Sequence, residues 1–297
     1  MISFKKFIAE GGNAVKGVTR INQENVAGTM NNIYKEILPK LKLTQKQTAS
    51  LGSTGKKKAG GSSGDVDLAL DLGAIVKSDK AVNTLDDVFD KIVNVAKSSG
   101  YDFRDMRSMG LVSISFPIKN DDGKQEGETV QLDLMPTENL DYSSWAYYSP
   151  AEWESQWKGL YRNELLYAIA RFMDYKTAEK AMDKEGKEVD ASWERNFFDL
   201  SKGLLRGKQS RMGKKGLVKS SKTLEKWLLT MDKEEIVTML FGPKYKSTMI
   251  LTWEDAFKAV TDPRFVYKKS VKNILQMTKD GIIKKGYTVP PELDAIV

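Results

Sequence analysis

Three aspartates carry the chemistry that this sequence offers most plainly. Asp65 and Asp67 flank Val66 in "SSGDVDLALDL", and Asp133 stands in "VQLDLM". Residues two apart on an extended strand point to the same side, so Asp65 and Asp67 are neighbouring carboxylates. Close carboxylates repel and raise each other's pKa unless a cation sits between them. With Asp133 added from a strand paired alongside, the donor set is all oxygen and suits two divalent ions roughly 3.5 to 4 Å apart. The chain of 297 residues contains no histidine and no cysteine. That excludes thiolate nucleophiles, disulfides, histidine-based triads and zinc sites built on sulfur or imidazole. Magnesium, manganese or calcium are the metals these donors suit.

The hydrophobic pattern says how such a cluster is held. From Val66 to Leu72 the residues alternate strictly, with Val66, Leu68, Leu70 and Leu72 on one face and Asp65, Asp67, Ala69 and Asp71 on the other. Asp71 is expected to reach solvent at the strand end. "GLVSISFPIKN" and "ETVQLDLMP" read as two strands of a hairpin joined through "DDGK". In the second of them Val130, Leu132 and Leu134 share one face, and Gln131, Asp133 and Met135 share the other. Helices are expected from Gln23 to Leu38, stopped by Pro39, and from Thr84 to about Lys97, opened by a Thr84/Asp87 capping pair and closed near Gly100.

Ahead of the acidic strand lies "SLGSTGKKKAGGSSG". It is not a P-loop. That motif needs a glycine five residues before Gly55 and a Ser or Thr after Lys56, where this chain has Ser50 and Lys57. A flexible linker accounts for the glycine and serine but not for the acids that follow.

Leu51-Gly52-Ser53, eleven intervening residues, Asp65-Val66-Asp67 and then Asp133 on a later strand together resemble the signature of the polymerase β-like nucleotidyltransferase superfamily. The resemblance covers roughly residues 45 to 140. It implies an α+β catalytic domain, a mixed sheet with helices on one face, over residues 1–150. It further implies transfer of a nucleoside monophosphate from a nucleoside triphosphate to a hydroxyl, with release of pyrophosphate and with two Mg2+ or Mn2+ ions. By that likeness Gly52 and Ser53 line the triphosphate, Asp65 and Asp67 bind both ions, and Asp133 binds the ion beside the attacking hydroxyl and helps deprotonate it. Lys56, with Lys57 and Lys58, either neutralises phosphate or is simply solvated. Related enzymes set Lys, Arg or Asn of the next helix against triphosphate and ribose, and Lys158, Arg162 and Asn163 in "SQWKGLYRNELLYAIARF" share one helical edge suited to that. Trp145, Tyr147 and Tyr148 either stack on a nucleobase or fill a core, the core being favoured.

Charge separates the two halves. Residues 1–150 hold 19 basic and 19 acidic side chains, whereas 151–297 hold 28 and 21, so the whole excess of +7 lies in the second half. Residues 202–227 carry nine Lys or Arg against one Glu. Such a cluster is either a solvated face or a surface for a polyanion such as nucleic acid. The expected acceptor is the 3′ end of a nucleic acid such as RNA or tRNA; a protein, a small molecule or a second nucleotide is the alternative. Residues 151–297 are expected to form a mainly helical domain, with helices near 151–181, 222–241, 252–260 and 268–285. Residues 186–212 fit either a hairpin turning at "SKG" or a frayed helix. No run of about eighteen apolar residues exists, so no membrane partner is expected. "MISFKKFIAEGG" lacks signal-peptide character, which points to the cytoplasm.

Overall fold

Apolar residues at helical spacing form α1 (Gln23–Glu36), directly after the short strand β1 (Ile21–Asn22). The computed structural model describes residues 14–183, 185–212 and 218–297, and side chains apart from those of 212–220. The amino-terminal stretch read above for a signal peptide lies outside the described residues, as do Lys214 and Lys215 of the basic run. The chain divides into two compact units, one ending at Gln156 and the other starting at Trp157.

The first unit is built on a five-stranded sheet in the order β2 (Thr48–Leu51), β4 (Asp65–Asp71), β7 (Thr129–Thr137), β6 (Leu111–Pro117), β5 (Phe103–Met106). β3 (Ser62–Ser63) pairs separately with β1. β4 and β7 run parallel, and every other neighbouring pair is antiparallel. The parallel pair needs a long crossover, which α2 (Leu72–Ser78), α3 (Leu85–Ser98) and the β5–β6 pair supply. Val66, Leu68, Leu70, Leu132 and Leu134 enter one buried cluster with Ile33 and Ile37 from the α1 region and Val88, Phe89 and Ile92 of α3. The apolar half of the alternation therefore faces helices and the acidic half faces away. Thr84 and Asp87 form the expected capping box. Asp71, partly exposed at the strand end, also caps α2, its carboxylate accepting from the Ala74 N–H at 2.9 Å. α4 (Leu140–Ala146) closes this unit.

The second unit begins with α5 (Gly159–Phe172) and ends with α6 (Lys233–Phe241), α7 (Trp253–Thr261), α8 (Val271–Lys284) and α9 (Pro291–Asp294). Between them stands an antiparallel sheet in the order β11 (Val218–Thr230), β10 (Gly203–Met212), β9 (Glu188–Asp199), β8 (Lys176–Met182). A mainly helical second domain is thus corrected to a mixed one. The helix expected to reach residue 181 stops at Phe172, and the one expected from 222 starts at Lys233. "KTAEKAM" is rich in helix formers, but pairing with β9 holds it extended. Leu224, Trp227 and Leu228 mimic helical spacing within a bulged strand. Of the two readings for 186–212 the hairpin holds, with Asp199 opposite Gly203. No helix among the described residues is long and apolar enough to cross a membrane.

Candidate metal centre

Parallel register puts Asp67 of β4 directly beside Asp133 of β7, and Asp65 beside Gln131. On the other side of β7, Asp133 stands opposite Ser113 of β6. The three carboxylates Asp65, Asp67 and Asp133 each offer an oxygen, and these oxygens all lie within 4.8 Å of one another. Asp133 is 7% exposed. Its carboxylate is steadied from within the sheet, since the Gln131 amide donates to both oxygens at 3.0 and 3.1 Å. The Gln131 carbonyl oxygen accepts in turn from the Ala14 N–H at 2.6 Å.

Electrostatics follow from that crowding. Burial, then the charges of Asp65 and Asp133, push the Asp67 carboxyl well above its ordinary range. Burial raises Asp133 to about 6, with hydrogen bonds from Ser113 and Gln131 opposing the shift and Asp65 adding to it. A cation held between these carboxylates would relieve both the repulsion and the cost of burying them. All the donors are hard oxygens, so the residues fit Mg2+ or Mn2+.

Gly52 is the second part of the site. It follows β2, whose Leu51 pairs with Asp67, and its φ is +66°, where glycine is favoured. A Cβ there would lie 2.6 Å from Asp67 Oδ2. A glycine is therefore required twice over, by backbone conformation and by contact with a carboxylate. The Ser53 carbonyl accepts from the Lys56 N–H at 3.1 Å, closing a turn. The lysines beyond it are held rather than loose. Lys56 Nζ donates to the Ser149 carbonyl at 2.8 Å and lies 4.6 Å from the Tyr148 ring centre; burial lowers its pKa, against the charge of Glu154. Lys57 pairs with Glu152 at 3.2 Å. Tyr147 accepts the Gly52 N–H through its carbonyl at 3.3 Å. Trp145 is buried, with Tyr142 as a ring neighbour, in the core role favoured from sequence.

Lys158, Arg162 and Asn163 belong to the second unit. Lys158 is exposed at the start of α5. Arg162 is fully buried and donates to Asn163 Oδ1 at 3.0 Å and to the carbonyls of Ile250 and Leu251 at 3.5 and 3.4 Å. This guanidinium works as an internal staple of that unit. Gln131 and Ser113 are the functional neighbours that motif reading missed. Gln131 was legible as the same-face residue two before Asp133, while Ser113 became visible only once β6 paired with β7. No protein-family model matches this chain, and no curated protein matches its sequence.

Proposed function

We propose that the protein is a metal-dependent nucleotidyltransferase that moves a nucleoside monophosphate from a nucleoside triphosphate to a hydroxyl at the 3′ end of an RNA. One observation carries this reading: three carboxylates from two parallel strands converge within 4.8 Å, with a positive-φ glycine turn packed against the central one. Asp65, Asp67 and Asp133 would hold the divalent ions, which supply charge stabilisation for in-line displacement at phosphorus. Gly52, which lacks a Cβ, would let a phosphate approach its backbone, and the Ser53 hydroxyl would donate to a phosphate oxygen. The acceptor oxygen attacks the α-phosphorus as the bond to pyrophosphate breaks, and Asp133 takes the hydroxyl proton. Gln131 fixes the Asp133 carboxylate for that task.

The test is incubation of the purified chain with Mg2+ or Mn2+ and each α-labelled nucleoside triphosphate, with and without mixed RNA, followed by size separation. Label on RNA only when RNA is present, and absent for Asp67→Asn, supports the proposal and names the nucleotide. Label on the protein or on a small product keeps the chemistry and replaces the acceptor. No incorporation with any nucleotide or acceptor sinks the proposal.

A further inference from the structure

On one face of the second unit's sheet three cations, Arg195, Arg211 and Lys226, make no ion pair among the described residues. Lys226 of β11, Gly207 of β10 and Arg195 of β9 form one cross-strand row. The next row on the same face, two residues away, is Leu228, Leu205 and Phe197; in the other direction it holds Gln209 and Trp193, with Arg211 beyond. Cations lie over rings along these rows. Lys226 Nζ is 4.3 Å and the Arg195 guanidinium 4.8 Å from the Phe197 ring centre, and the Arg211 guanidinium is 5.2 Å from that of Trp193. Gly207 permits this crossing, because a Cβ there would come within 2.9 Å of both Phe197 Cε2 and Lys226 Cγ.

The opposite face is structural. Asn196 donates to the Met173 carbonyl at 3.0 Å, Phe198 lies 5.6 Å from Tyr167 of α5, and Arg206 is paired with Asp174 at 3.0 Å. On the first face the Arg195 Nε is buried with no hydrogen-bond partner among the described residues. Its charge is disfavoured by burial and by the like charge of Arg171. A half-buried guanidinium beside a like charge lacks an anion. Three cations spread over three strands exceed what one small anion uses, and they are interleaved with half-buried Phe197 and the 51%-exposed Leu228, above a buried Trp193. A duplex keeps its bases stacked inward, leaving apolar side chains idle; an unpaired strand uses both features.

We propose that the face bearing Arg195, Phe197, Arg211 and Lys226 binds a single-stranded nucleic acid. The cations meet its phosphates, while unstacked bases lie against Phe197, Leu228 and the guanidinium planes. As the seat of the acceptor strand this face rests on the catalytic proposal; as a binding surface it stands by itself.

The experiment is fluorescence anisotropy of a fluorescein-labelled 20-nucleotide single-stranded RNA with the full chain, in EDTA and without nucleotide, from 50 to 200 mM salt. Arg195→Gln/Arg211→Gln/Lys226→Gln should weaken binding by at least about tenfold and flatten the slope of log affinity against log salt by about 2, at about 0.7 per lost phosphate contact. Lys226→Gln alone, at an exposed site, should flatten it by about 0.7 and covers the case in which the triple variant misfolds. The charge-matched control Lys268→Gln/Lys269→Gln/Lys272→Gln, also exposed, should change the slope less than the sheet variant does. Unchanged slopes in the sheet variants, an equal loss in the control, or stronger competition by duplex RNA or polyglutamate than by unlabelled single strand would each overturn the proposal. RNA binding through this face in a protein that transfers no nucleotide sinks the catalytic reading alone. Transfer to RNA with binding unaltered in the sheet variants sinks this one alone.

Discussion

In the five-stranded sheet, like charges are forced together: Asp67 and Asp133 are register partners on adjacent parallel strands, with Asp65 two residues along. In the four-stranded sheet the like charges are spread, with Lys226 and Arg195 on either side of Gly207 and Arg211 further along. The first arrangement is inward, is supported by hydrogen bonds to Asp133, and packs a glycine against a carboxylate. The second is spread over three strands, from half-buried Arg195 to exposed Lys226, and rests on aromatic rings. A compact divalent cation demands convergent donors at fixed distances, whereas a polyanion rewards many separated contacts that salt screens. The two sheets thus place opposite charges by the same device, alternation across paired strands, but to different tolerances.

The sharpest way to break the contrast is Asp67→Asn. Loss of the central ligand should lower transfer at least about 10³-fold, about 4 kcal/mol in barrier, while raising the metal-free melting temperature because a raised, repelled carboxyl is removed. Transfer that survives in both Asp65→Asn and Asp67→Asn, measured by label incorporation, would remove the metal site. RNA affinity without metal should not change.

Gly52→Ala comes next. Its methyl meets Asp67 Oδ2 and its φ is strained, so transfer should fall about 10- to 100-fold, as displacement of a positioned group by a fraction of an ångström does. Stability should drop by about 1–2 kcal/mol, read by urea denaturation. An alanine variant with full activity would mean that the turn does not crowd the site.

A smaller and graded effect follows from pH. Asp133 is raised from 3.8 to about 6 in the folded chain, so between those values the folded state binds more protons than the unfolded one. Metal-free stability should therefore decline as pH rises through about 4 to 6. Mn2+ affinity should move the other way, weakening as pH falls below about 6 by about tenfold per unit for each proton displaced. Calorimetric titration from pH 5 to 7.5 checks this, and an affinity indifferent to pH would show that no proton leaves the cluster. RNA binding to the basic face should be nearly flat over that range, which sharpens the contrast.

The smallest effect is expected outside both sheets' charged faces. Thr84→Ala removes the cap of α3 and should cost about 1 kcal/mol by denaturation, with metal affinity and the salt slope for RNA unmoved. A change in either would mean that the α3 amino terminus is coupled to a site.

Local chemistry settled a good deal. The alternation from Val66 specified both the strand, which ends at Asp71 where Leu72 opens α2, and which side the acids take, because a strand's side-chain period is two and only one face can meet the helices. The Thr84/Asp87 box specified a helix start, since its bonds span three residues. The missing histidine and cysteine fixed an oxygen-only donor set. What the sequence left undecided was everything that depends on pairing between distant segments. That β7 lies beside β4, with Asp133 level with Asp67, is a contact across more than sixty residues. Ser113 reaches Asp133 only through that sheet, and Arg162, a candidate phosphate ligand by helical position, is taken up by carbonyls nearly ninety residues on. The run from Lys176 to Thr230 carries helix formers and helix-like spacing, and only strand-to-strand hydrogen bonding makes it a sheet. Propensity amounts to tenths of a kcal/mol per residue, and ladder pairing with burial exceeds it, so tertiary structure alone placed Arg195, Arg211 and Lys226 on one face.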